Sequence, residues 1–185
     1  MKKLTLFSIA VIQERDLPAV AFTYDPGNWF SRLIHHRTGG PSHVMWLHKP
    51  GRCATQGFTF HEEPIFRHEK SLIEVWTFPT WTERDRERYR EEIQRQIERH
   101  GLYDFLGVLG HALWIPILNI PFLDYCSEQV YNTFRRLENL PRKHPTPAEF
   151  RDMLPFLQGD LYGGYIPHGC KAGSDFFWNH KLQGV

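Results

Sequence analysis

The sequence predicts an α+β domain in which a mostly antiparallel sheet packs against helices. Three observations carry this. Short runs rich in β-branched and aromatic residues recur before residue 80, bounded by turn residues. A long charged stretch, Thr82 to His100, carries Tyr89, Ile93 and Ile97 at helical spacing. Helix-start signals then appear around Asp124–Cys126 and at Thr146-Pro147-Ala148-Glu149.

Taken in order, Leu4 to Ile12 and Ala19 to Tyr24 read as short strands. Pro26-Gly27-Asn28 is a turn whose asparagine caps a helix, with Phe30, Leu33 and Ile34 on its apolar face. Thr38-Gly39-Gly40-Pro41 ends that helix. Ser42 to His48 is the next strand, and after the Lys49-Pro50-Gly51-Arg52 turn Cys53 to Phe60 returns antiparallel. Ser71 to Phe78 is a further strand. The charged helix follows, its arginines and glutamates read as a solvated face, and Gly101 ends it. A second helix is expected over Tyr103 to Leu113. A third opens near Cys126, with Asp124 in the capping region and Val130, Phe134 and Leu137 facing inward. A short helix then runs to Leu154. The tail from Gln158, rich in glycine and aromatic residues, is expected to wrap the domain as loop.

At 185 residues, 41% of them hydrophobic, the chain suits one domain with a real core. A net charge of +1 argues against a polyanion-binding surface, so nucleic acid is not an expected partner. The cysteines Cys53, Cys126 and Cys170 form no C-x-x-C pair. They read as reduced thiols, with no metal and no cofactor expected. His48 and Cys53 face each other across the expected hairpin, but two residues do not make a metal site.

Met1-Lys2-Lys3 and the apolar run after it resemble the start of an export signal, and Ala19-Val20-Ala21 supplies a small-x-small site. The charges of Gln13-Glu14-Arg15-Asp16 interrupt such a signal. A buried strand and a cytoplasmic location are therefore expected, with export as the alternative. Leu102 to Leu123 is the most apolar region, broken by Asp104, Gly107, Gly110, His111, Pro116, Asn119 and Pro121. It reads as core helix and apolar loop. The sharper reading is a patch around Trp114, Ile115, Ile117 and Leu118 for a greasy substrate or a membrane surface.

Cysteine is the side chain that most plainly suggests a nucleophile here. It acts as thiolate, and a helix N-terminus favours that charge. Cys126 stands in the first turn of an expected helix, whose N–H groups can also stabilise an oxyanion. His43, after a glycine-rich loop and at a strand start, is the best candidate base among 11 histidines. The ordinary alternatives are a buried structural cysteine and a surface histidine.

Three segments carry a family resemblance: Gly40-Pro41-Ser42-His43-Val44, then Gly101-Leu102-Tyr103-Asp104, then Tyr125-Cys126-Ser127-Glu128-Gln129-Val130-Tyr131. In that order they resemble the circularly permuted papain-like cysteine hydrolases of the NlpC-related, YiiX-like group, with cousins among the lecithin–retinol acyltransferase-like proteins. The resemblance covers Ala19 to about Leu154. It leaves out the N-terminal strand (residues 1–18) and the tail (158–185) of a single domain over 1–185. It implies a permuted papain-like fold in which the Cys126 helix packs against the sheet carrying His43, so that thiol and imidazole meet across a cleft. It also implies hydrolysis of an amide or ester through an acyl-enzyme, on a peptide, peptidoglycan or acyl-lipid substrate, with Tyr103 and Tyr125 lining the cleft. The alternative is a catalytically silent binding or accessory module on the same fold.

The resemblance further implies a third polar residue on the strand after His43, which orients the imidazole. With a plain two-residue turn, Met45 faces Gln56, and Gln56 shares a face with His43 as its diagonal neighbour. Gln56 is the expected third residue. A bulge would reverse the parity and substitute Thr55. His61, Glu62 and Glu74 are further candidates.

Overall fold

A computed structural model describes residues 2–57, 59–99 and 126–167. It is an α+β domain built on one six-stranded antiparallel sheet. In chain order the strands are β1 (Ala19–Tyr24), β2 (His43–Lys49), β3 (Arg52–Gln56), β4 (Phe60–Pro64), β5 (Leu72–Thr77) and β6 (Asp160–Tyr165). They lie side by side as β4-β3-β2-β1-β5-β6. The helices are α1 (Leu6–Ala10), α2 (Trp29–Thr38), α3 (Glu83–Arg99), α4 (Cys126–Glu138) and α5 (Pro147–Met153).

Both faces of the sheet are covered. On one, Val20, Phe22, Val44, Trp46 and Ala54 pack with residues of α3, α4 and α5, including Tyr89, Phe134 and Phe150. On the other, Ala19, Ala21, Met45, Leu47, Cys53 and Val75 pack with Ile9 and Ala10 of α1 and with Ile65. A strand buried on both faces reads as a continuous apolar run. Alternation along β1 and β2 therefore assigns each side chain to one of two separate cores.

Two expected elements differ. Residues 4–12 hold the helix α1 rather than a strand, because Thr5 and Ser8 close a capping box: Thr5 Oγ1 accepts from Ser8 N at 3.0 Å and Ser8 Oγ from Thr5 N at 2.9 Å. The start of the tail is β6 rather than loop. It pairs with β5, and Gly164 exchanges backbone hydrogen bonds with Lys2 and Leu4. Phe60 opens the separate strand β4 instead of ending β3. The expected helix over Tyr103 to Leu113 and the apolar run to Leu123 lie outside the described residues. No described helix is long and apolar enough to cross a membrane.

Helix α3 is less solvated than its charge suggests, since Arg86, Glu92 and Gln96 are buried beside Tyr89 and Ile93. Gln96 Nε2 donates to Thr133 Oγ1 at 3.1 Å, Gln129 Nε2 donates to Gln96 Oε1 at 2.9 Å, and Trp46 Nε1 reaches Thr133 Oγ1 at 3.3 Å. Arg136 Nη1 donates to Glu92 Oε1 at 2.6 Å. This buried polar network ties α3 to α4 and both to β2, and its partners offset the desolvation of each member.

The loop that feeds β2 is tightly held. Asn28 Oδ1 accepts from Phe30 N at 2.9 Å at the start of α2, and Gly39, at φ 67°, ends it in the left-handed region. At Gly40 a Cβ would stand 2.6 Å from Ala148 Cβ and 3.2 Å from Ala148 Cα in α5. Gly40→Ala is therefore expected to destabilise the domain by about 1–3 kcal/mol. A lowered urea midpoint at unchanged slope is the measurement that checks it.

Candidate active site

Cys126 is the first residue of α4 and is buried in the core that faces α3 and α4. The backbone amides of Val44, Ser127 and Cys126 itself favour its thiolate. Helix-start amides lack intrahelical acceptors and so are free to point at an anion. Burial nevertheless dominates and pushes the thiol up to about 11. The side chains around it serve structure. Ser127 Oγ donates to Pro145 O at 2.6 Å, and the buried carboxylate of Glu128 meets the His144 imidazole. Neither contact follows from the sequence, since Pro145 and His144 come from the segment after the helix.

His43 opens β2, paired with Thr23. Alternation puts its side chain with Met45 and Leu47, whereas Cys126 packs with Val44, Trp46 and Ala54. Thiol and imidazole therefore lie on opposite faces of the sheet, and no hydrogen bond joins them. The His43 backbone is close to the sulfur, through the N–H of the next residue. Its ring is not. His43 Nε2 is 2.6 Å from Thr55 Oγ1, and the ring stacks on His68 with centroids 6.4 Å apart. Burial first, then the charge of His68, lowers the imidazole to about 3.

The expected partner of His43, Gln56, is thus replaced by Thr55, and the cause is a bulge. Lys49 pairs with Arg52 and Leu47 with Cys53, so β2 holds one extra residue, His48, at the hairpin. That single insertion reverses the parity of β3 relative to β2. Gln56 now shares a face with Val44 and Cys126's core, paired to Phe60 of β4. The bulge also separates His48 from Cys53: His48 Nε2 lies 2.7 Å from Glu62 Oε2, while Cys53 turns to the α1 side.

Of the other candidates, Glu74 lies on Cys126's face. It sits in the row Val44–Phe22–Glu74 across three strands, and its carboxylate accepts from Trp76 Nε1. Glu62, also on that face, is taken up by His48, Lys49 and Arg52; burial opposes its ionisation, but those hydrogen bonds prevail and hold the carboxyl at about 2. On the opposite face His61, Glu63 and His68 gather near Cys53 and His43. Tyr103 and Tyr125, the expected lining of the cleft, lie outside the described residues, as does Cys170.

Two outcomes follow. With its thiol raised from 9.0 to about 11, Cys126 is expected to carry about a hundredfold less thiolate at pH 7 than a free cysteine, and its alkylation rate to climb up to about pH 11. Iodoacetamide labelling read by peptide mass spectrometry checks this; a plateau near pH 7 would contradict it. Thr55→Val is expected to shift the His43 ring resonances in NMR spectra, whereas Gln56→Ala leaves them in position.

Comparison of the chain with family models, curated proteins and solved structures yields no match. The resemblance to the permuted papain-like group therefore rests on the motif residues quoted above.

Proposed function

We propose that this chain is a cysteine hydrolase of the acyl-transfer type, with Cys126 as nucleophile, acting on an amide or ester in a peptide, peptidoglycan or acyl-lipid substrate. The observation that carries the proposal is the position of Cys126 as the first residue of α4, where the backbone amides of Val44, Ser127 and Cys126 favour its thiolate. Such amides also favour, once the sulfur has bonded to a carbonyl carbon, the resulting oxyanion. The motif order around His43 and Cys126 supports the same reading.

In the reaction, the sulfur bonds to the carbonyl carbon, the thiol proton passes to a base and then to the leaving group, and water cleaves the thioester. His43 is the base that the motif order implies, although its ring lies on the face away from the thiol, against Thr55. To act, its ring must leave Thr55 and reach the other face. Glu74 is a buried acid on the thiol's face, where its carboxylate accepts from Trp76 Nε1.

A silent binding or accessory module on the same fold is the second reading. The separation of His43 from Cys126, with both groups held neutral by burial, favours it. The deciding experiment incubates the protein with activated short-chain acyl esters and N-acyl amides and follows turnover together with intact mass. The hydrolase reading expects an acyl adduct that maps to Cys126, loss of turnover in Cys126→Ala, and a drop of about 10²-fold or more in His43→Ala. Absence of any adduct, or turnover that survives Cys126→Ala, would leave the binding module in possession.

A further inference from the structure

The face of the sheet away from Cys126 holds a second cluster, unused by the proposed hydrolysis. Register places Cys53 opposite Glu63 and Thr55 opposite His61 in the β3–β4 pair. The 3-10 turn Ile65–His68 that follows β4 folds His68 back over the same spot. The Cys53 sulfur, a Glu63 carboxylate oxygen and a His68 ring nitrogen all lie within 4.8 Å of one another. Cys53 is buried, and Glu63 and His68 are largely so. His68 Nε2 is 3.0 Å from Glu63 Oε1, and His61 Nε2 is 3.7 Å from Glu63 Oε2. His43, held by Thr55, stacks against the His68 ring from the side.

We infer that Cys53, Glu63 and His68 form a binding site for a divalent transition metal of the zinc class. The donor set is one thiolate sulfur, one imidazole nitrogen and one carboxylate oxygen, the mixture that a tetrahedral, borderline-soft cation accepts and that magnesium or calcium does not prefer. Ligand atoms around such an ion stand roughly 3–4 Å apart, so the three groups need to contract by only about 1 Å. On binding, the Cys53 S–H bond breaks, the sulfur takes the metal, and one proton leaves to solvent. The hydrogen bond between His68 and Glu63 gives way to two metal bonds, the Nε2 proton of the neutral imidazole moving to Nδ1 by exchange with solvent. Arg67, whose Nη1 is 3.1 Å from Glu63 Oε2, already holds the carboxylate from outside, and His43 and Thr55 brace His68 from within. The site uses neither Cys126 nor α4, so it stands whether or not the chain hydrolyses acyl groups.

The test uses the full chain, stripped with a chelator and titrated with Co²⁺ and then Zn²⁺. The expected result is one Co²⁺ per chain with a thiolate-to-cobalt charge-transfer band, displaced by Zn²⁺, and release of one proton in weakly buffered solution. Cys53→Ser removes the band, Cys126→Ala keeps it, and Glu63→Gln and His68→Gln each weaken Zn²⁺ by at least about tenfold. Because Cys53 is buried, far-ultraviolet circular dichroism of the stripped variants accompanies each titration. If Cys53→Ser does not fold, the more exposed His68→Gln decides. Absence of a charge-transfer band in the wild type, a band that survives Cys53→Ser, or Zn²⁺ affinity unchanged in folded His68→Gln would each overturn the site.

Discussion

The arrangement depends on one constraint: the central strands are buried on both faces, so Val44 to Leu47 of β2 alternate between the two cores. Val44 and Trp46 pack under α3 and α4, and Met45 and Leu47 pack over α1. Moving either set across would expose several large apolar side chains, at about 1.5–3 kcal/mol each. His43 inherits its side from this pattern. Its ring joins the α1 face because Met45 and Leu47 do, whatever chemistry the neighbouring thiol would prefer.

The same rule sorts the charges. Glu62 and Glu63 are neighbours in β4, yet they point to opposite faces and gather separate partners. Glu62 collects His48, Lys49 and Arg52. Glu63 collects His61, Arg67 and His68. Each carboxyl is held near 2, Glu63 chiefly by its hydrogen bond from His68 and Glu62 by its hydrogen bonds from Lys49, Arg52 and His48 against the cost of burial. Two adjacent acids thus anchor two independent polar clusters, one on each side of the sheet's β4 edge.

The bulge at His48 decides what meets what within those clusters. One inserted residue aligns Thr55, rather than Gln56, with the His43 ring, sends His48 towards Glu62, and leaves Cys53 beside Glu63 and His68. A thiol, a carboxylate and three imidazoles come together on the α1 face as a result. On the other face the Cys126 sulfur meets backbone amides and apolar side chains.

Much of the architecture was legible in the sequence because it follows from local chemistry. The Asn28 and Thr146 caps, the Gly39 stop, the Tyr89–Ile93–Ile97 stripe and the opening of α4 at Cys126 each depend on residues within a turn or two of one another. Strand identity in β1, β2 and β5 was equally local. The N-terminal run forms a helix, not the strand its apolar residues suggest, because a capping box between Thr5 and Ser8 outweighs their β propensity. What only the tertiary structure decided is which faces meet. An extra residue in a hairpin leaves almost no trace in composition, yet it reverses side-chain parity across every paired residue beyond it. The motif order therefore implied His43 and Cys126 as partners, while the sheet's double burial set their side chains on opposite sides. The cluster of Cys53, Glu63 and His68, scattered along the chain, exists only through strand register.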